Sequence, residues 1–562
     1  MARNSLGTSG VTNLSGGFAD DAAVLDTAVL DTAHVGDIRG ALGTIHRGDV
    51  SVRPGLSAKL KTLLAIVGPG LIVMVGDNDA GAFGTYTQAG QDYGTHLLWT
   101  LLLLVPVLYV NQEMVLRLGA VSGVGHARLI LERFGKFWGA FSVIDLFILN
   151  ALTIVTEFIG VTLAVGYLGL PKLPSVALAG AVIVGAASTG SFRRFERVCL
   201  TLVVGSLVLV PIYLAVHPPA TQMLHNFVVP GLPHGAPLST VMLLIIAIVG
   251  TTVAPWQLFF QQSFVIDKRI TPRFIKYERV DLWIGIVIVV IGAAAMFGFS
   301  SAVFAGHPGS GNFTSAAGVA QGLGHYVSRT MGDLFAIALL DASIIGASAV
   351  GLATAYAGAD VLGVNHSLHR PVTKAKGFYA CYAGLMAVAG AVVLTPGAPL
   401  GLLTEGVQTL AGVLLPSATV FLLLLCNDKD VLGPWVNSKK LNVFTGAVIG
   451  ALVVMSVILT ASVLFPQVTS GQIVAVMLGG TVIGILAGLY LLIRSRRTAA
   501  LAGELTVPVE WQKKETWRMP ALNRLARPVM STQRKVGLAT LRGYLVVAFA
   551  LVVVKVIEVA VK

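Results

Sequence analysis

The chain is short of charge: Asp, Glu, Lys and Arg together make up 12% of its 562 residues, against about 25% in an ordinary soluble domain. That shortage excludes a water-facing surface over most of its length. Cysteine is scarcer still. Cys199, Cys381 and Cys426 lie in or beside apolar runs without paired spacing, which excludes a disulfide framework or a cysteine metal clip and leaves small buried apolar residues. No nucleophile stands beside a recognisable base and no histidines are paired at metal-ligand spacing, so neither an enzyme nor a resident cofactor is expected. Residues 1–55 lack the basic start and apolar core of a secretory signal.

What is abundant is apolar sequence, 55% of the chain, gathered into runs of roughly the length a helix needs to cross hydrocarbon. The runs fall at 62–86, 96–118, 139–168, 174–190, 198–216, 238–265, 281–305, 333–363, 377–395, 402–426, 442–465 and 471–493. An all-α polytopic membrane protein of about twelve spans follows. Lys and Arg cluster after every even-numbered span, as at Arg193, Arg194 and Arg197 or at Lys268, Arg269 and Arg273, while the odd loops carry almost none. By the positive-inside rule the even loops and the N-terminus are cytoplasmic. The formal net charge of +12 is thereby explained by topology, and no nucleic-acid partner is expected. Residues 1–55 read as a mobile cytoplasmic tail, and 56–217 and 238–426 as two five-span halves. Residues 440–495 read as accessory spans, 496–540 as a basic cytoplasmic segment, and 541–562 as a further span or an interfacial helix.

Charge inside hydrocarbon costs about 2.5–3.5 kcal/mol per residue on insertion scales, so intramembrane acids are functional candidates. They are Asp77, Asp79, Glu113, Asp145, Glu157, Asp341 and Glu405. The first span reads Gly76-Asp77-Asn78-Asp79-Ala80-Gly81 at membrane depth, two acids among helix-weakening residues. Unwound backbone is tolerated there only where it lines a cavity or is buried in protein, and its free carbonyls add oxygens to the carboxylates. The sixth span is interrupted at Thr251-Thr252-Val253-Ala254-Pro255-Trp256, where Pro255 removes the donor that the Thr251 carbonyl would use. Interrupted spans at matching positions of two inverted halves point to a transport site between them. Two acids at the break favour a cation over the carboxylate of an organic solute, the alternative that the same architecture serves.

The motifs resemble the NRAMP family of divalent-metal transporters. Gly68-Pro69, Asp79, Tyr93-Gly94 and Leu97-Leu98-Trp99 match its first two spans without a gap. Gln112, Leu118-Gly119, Glu157-Phe158-Ile159-Gly160, Gln408 and Pro416 match further on. The departures sit in the binding motifs. The family's Asp-Pro-Gly-Asn appears as Asp79-Ala80-Gly81-Ala82, and its sixth-span Met-Pro-His as Ala254-Pro255-Trp256.

The resemblance implies an inverted-repeat bundle with ion ligands at Asp79, Asp77, the Thr251 carbonyl, Ala254 and Gln408. With the soft methionine replaced by Ala254, the remaining ligands are oxygens, which suit Mg²⁺ better than a transition metal. The pattern is similar to the NRAMP-related magnesium transporters, a branch that carries Mg²⁺ and Mn²⁺ without proton coupling. Trp256 and Ile154 stand where the family's proton-pathway His and Asp would be. The resemblance thus implies a monomer in the cell membrane that transports Mg²⁺ or Mn²⁺. A proton-coupled manganese or iron transporter is the alternative within the family.

Overall fold

The computed structural model describes residues 28–233, 235–397, 400–464, 469–501, 514–525 and isolated positions between 537 and 546. Helix α1 (Gly55–Ile66) bends by 56° into α2 (Pro69–Val75). Then come α3 (Ala80–Tyr93), α4 (Trp99–Ser122), α5 (His126–Phe134), α6 (Lys136–Tyr167), α7 (Lys172–Ala187), α8 (Phe192–Gly205) and α9 (Leu209–Val216). They are followed by α10 (Ala220–Val228), α11 (Leu238–Thr252), α12 (Pro255–Asp267), α13 (Ile275–Phe304) and α14 (Ala316–Tyr326). The last are α15 (Arg329–Leu362), α16 (Lys376–Leu394), α17 (Leu400–Cys426), α18 (Lys439–Leu464) and α19 (Ser470–Leu501). Every expected span has a helix or a broken pair at its place. Among the described residues nine helical stretches, with α8–α9 and α11–α12 each taken as one, are long and apolar enough to cross a membrane, or ten with the bent α1–α2 pair counted as one span. The question posed by 541–562 lies outside the described residues, apart from isolated positions.

Proline and glycine set the breaks. Pro69 and Pro255 each occupy the first turn of a helix, where a missing N–H costs nothing. The residue before a proline is driven out of the helical region, and Ala254 is accordingly extended at φ −84°, ψ 145°. Gly68, at φ +153°, turns the chain between α1 and α2 through a conformation closed to residues with a Cβ. Elsewhere glycine permits close approach: side chains at Gly160 and Gly346 would overlap Ser343 and Glu157, so α6 and α15 meet as small-residue faces.

One expectation is corrected. Of the expected tail 1–55, residues 28–46 dock across the basic-loop face. Strand β1 (Ile38–Gly40) pairs antiparallel with β2 (Gly43–Ile45). Asp31 accepts from Arg370 Nη2 at 2.6 Å and from His366 N at 2.9 Å. Arg269 Nη2 donates to the Ala33 carbonyl at 2.7 Å, and Arg193 Nε to that of Gly40 at 2.9 Å. These partners lie far along the chain, which is why local composition reads as disorder. Residues 514–525, placed in the basic segment, also dock: Met519 is buried and its N–H donates to Val121 O at 3.3 Å.

Three titrating groups hold this seal. Burial alone would lower the His366 imidazole, but the Asp360 carboxylate 2.9 Å away raises it to about 9. Burial pushes Asp31 up, yet the Arg370 guanidinium and backbone N–H donors outweigh it and hold it at about 2. Burial brings His34 down to about 4 despite Asp267 at 3.5 Å. Of the groups that raise His366, Asp31 alone belongs to the docked segment, so the charged imidazole favours docking through Asp31 and loses that contribution as pH climbs through about 9. The depressed His34 weakens docking as pH falls from about 6.5 towards about 4, and Asp31 does so below about 4. Hydrogen-exchange protection of residues 28–46, corrected for intrinsic rates, should therefore peak near neutral pH and fall towards pH 10. Protection that stays flat from pH 7 to 10 refutes the role of His366 in docking.

Candidate cation site

The first break follows from two local facts. The chain leaves α2 through tight turns, Asp77 N donating to Met74 O at 3.2 Å and Asn78 N to Val75 O at 3.1 Å. It re-enters helix at Asp79, whose extended backbone and Oδ1, accepting from Ala82 N at 2.8 Å, make it the cap of α3. The second break is the stretch Val253–Ala254 between α11 and α12. Hydrogen bonds tie the breaks together: Gln257 Nε2 donates to Asp77 Oδ1, and the Tyr86 and Thr252 hydroxyls meet at 2.6 Å.

The expected ligands divide into two groups. Asp79 and Gln408 converge: a Cβ at Gly81 would overlap Gln408 Nε2 and stand 3.2 Å from Asp79 Oδ1. Gly81 is thus where α3 lets the α17 amide reach the carboxylate. Asp77 turns the other way, towards Gln257, which in turn accepts from Gln112 Nε2 at 2.9 Å. Asp77 is wholly buried. Thr251 and Ala254 are buried at the second break. The Thr251 carbonyl loses its helical donor to Pro255.

Oxygen without a donor accumulates around the breaks. Asp77 Oδ2, Asn78 Oδ1, Gln112 Oε1 and the Thr251 hydroxyl are buried with no hydrogen-bond partner among the described residues. Buried polar atoms are ordinarily satisfied, so these oxygens are groups that a cation could engage. Among the described residues no three His, Cys, Asp or Glu side chains converge as a closed metal chelate. The arrangement fits an ion held by one or two carboxylates and neutral oxygens with some of its water retained.

A cavity of about 400 Å³ runs from the face opposite the basic loops, between Asp92 and Phe313, down to Ala80 and Gln408, the one expected ligand that lines it. Towards the basic-loop face the way is closed. Trp256 is buried, its ring edge 3.8 Å from where a Gly76 Cβ would be. Below it Phe260 stacks on Phe264 at 4.9 Å between ring centroids, and Phe192 lies 4.6 Å from Phe264. The docked segment 28–46 lies beneath.

Other intramembrane acids find structural partners or lie elsewhere. Glu113 is held by Arg279 at 2.6 Å and Arg117 at 3.1 Å. Glu157 braces the start of α3 from α6, its Oε2 accepting from Ala80 N at 3.2 Å, and its carboxyl lies against that of Asp79, so it borders the site. Asp341 lines a separate apolar cavity near Leu209 and Met223. Sequence reasoning passed over Gln257, although an amide two residues beyond a helix-breaking proline was a signal available to it. It also counted Lys268 as a loop charge. The side chain is wholly buried.

Against known proteins, the profile of the family described as natural resistance-associated macrophage protein-like matches residues 70–462. The chain is 26% identical over 434 residues to the divalent metal cation transporter MntH of Lacticaseibacillus casei, covering 72% of this chain and 90% of that protein. It is 29% identical over 411 residues to MntH of Ralstonia nicotianae, covering 70% and 89%. Among solved structures it superposes on a mutant of the Eremococcus coleocola manganese transporter with a TM-score of 0.59 at 20% identity, covering 83% of this chain and 98% of the other. That likeness establishes the inverted-repeat fold.

Proposed function

The chain belongs to the natural resistance-associated macrophage protein-like family, and from that premise we propose that it carries Mg²⁺, and Mn²⁺ with it, into the cell without moving protons. As a divalent metal cation transporter it is a multi-pass membrane protein and not an enzyme. Halves 56–217 and 238–426 are the inverted repeats, and the N-terminus is cytoplasmic. The vestibule above Asp79 then faces outward, and one bundle rocks against the rest to open the other side.

The observation that carries the reading is the chemistry of the breaks. No residue among 76–81, 250–257 and 408 bears a sulfur or an imidazole, while three oxygens there have no hydrogen-bond partner among the described residues. Hard oxygen ligands suit magnesium, and soft ones select transition metals. Ala254 supplies no thioether and Trp256 no imidazole that takes up and releases protons.

Purified protein in liposomes, with the interior held negative and an internal pH dye, tests this directly. Saturable Mg²⁺ uptake, competed by Mn²⁺ and without acidification, is expected. Mn²⁺ uptake with acidification and no Mg²⁺ flux would instead establish the proton-coupled reading suggested by the manganese-transporter likeness. Absence of any divalent flux would remove the transport reading.

A further inference from the structure

Three carboxyls are buried together outside the transport site, around the bend at Gly68. Glu196 comes from α8, and Glu278 and Asp281 from α13; all are 0% exposed. One cation is buried with them. Lys268 Nζ spends its donors on Glu196 Oε1 at 2.6 Å, the Val67 carbonyl at 2.8 Å and the Ile66 carbonyl. Asp281 Oδ2 caps α2, accepting from Gly70 N at 2.7 Å, Gly68 N at 3.2 Å and Leu71 N at 3.3 Å. Glu196 Oε2 accepts from Ala41 N in the docked segment.

Glu278 has nothing. Neither of its oxygens meets a donor among the described residues, and Asp281 Oδ1 is equally bare. The charged groups that face Glu278 are Asp281, Lys268 and Glu196. Fully ionised, the cluster would hold two negative charges in excess with three oxygens unsatisfied, and a buried carboxylate without a donor is strongly disfavoured. Because no three of these acids converge to chelate a metal, the ligand that relieves the excess is a proton.

We propose that Glu278 is a proton-binding site that controls docking of α2, separate from the transport site. When α2 docks, a carboxylate oxygen of Glu278 takes a proton from water on the basic-loop side and an O–H bond forms. When α2 swings away, water enters, the O–H bond breaks and the proton returns to the same side. The proton crosses no membrane, so the device gates transport without coupling to it. Acid on the basic-loop side favours the docked, sealed state. With one proton exchanged, the balance between docked and open states shifts by up to about tenfold per pH unit within the titration window.

Infrared difference spectra of the wild-type protein, taken as pH is stepped, read the proton itself. A neutral carboxylic C=O band that appears on acidification and is missing in Glu278→Gln is expected. No such band, or one retained in the variant, overturns the proposal. In liposomes with each compartment's pH stepped in turn, Mg²⁺ uptake should slow as the basic-loop side is acidified, and Glu278→Gln should flatten that profile while Glu278→Asp keeps one. A Glu278→Gln profile identical to wild type also overturns it. The flux arm rests on the divalent-cation reading above, whereas the infrared arm does not, so the two ideas fail separately. Should Glu278→Gln not fold, Glu278→Asp takes its place: a band that shifts in position supports the proposal, and an unshifted band overturns it.

Discussion

Asp79→Asn should lower saturable divalent uptake by more than about a hundredfold while leaving the protein folded. The asparagine is chosen because Asp79 does two things. Its Oδ1 caps α3 by accepting from Ala82 N at 2.8 Å, and its charge is the one that meets Gln408 at Gly81. Asparagine caps a helix about as well as aspartate, whereas alanine loses about 1 kcal/mol. Loss in Asp79→Asn therefore reports the charge, and any extra loss in Asp79→Ala reports the cap. The size of the effect follows from metal sites in general: removing a residue that merely supports a ligand costs about 10–100-fold, so removing the ligand should exceed it. Uptake in Asp79→Asn above a tenth of wild type would move the ion away from α3.

Ala254→Met should turn the preference from hard towards soft ions. Residue 254 is the last before the helix restarts at Pro255, buried and extended, beside a Thr251 carbonyl without a helical donor. A thioether there adds a polarisable ligand that magnesium ignores and transition metals favour. We expect the Mn²⁺-to-Mg²⁺ uptake ratio to rise about tenfold, a difference of about 1.4 kcal/mol between the two ions, chiefly through loss of Mg²⁺ flux. Parallel uptake assays on the same preparation measure it. A variant that still carries Mn²⁺ at an unchanged ratio would show that residue 254 does not face the ion.

Much of this was legible in the residues, and the reasons are local. Apolar runs long enough to cross hydrocarbon must be helices, since lipid offers no partner for a free backbone group. Asp77 to Gly81 and Ala254-Pro255 announce the breaks because proline lacks an N–H and pushes its predecessor into extended backbone. Asp79 as a cap follows from its place before Ala80-Gly81-Ala82. Reading residues 28–46 as part of a mobile tail failed for an equally definite reason. Asp31 is ordered by Arg370, 339 positions away, and a composition of Gly, Ser, Thr and Asp carries no trace of a distant arginine.

The chain by itself determined that it is an integral membrane bundle, where its two helices break, and that the groups at the breaks are oxygens. All three depend on properties of a residue and its near neighbours, namely hydropathy, the missing proline donor and the softness of a ligand atom. Tertiary structure alone decided that Asp79 meets Gln408 while Asp77 turns to Gln257, that Lys268 is buried on Glu196 rather than solvated, and that Glu278 is left without a donor. Those outcomes depend on which helix packs beside which, and a buried charge is settled by partners 72 or 180 positions away that no local pattern encodes.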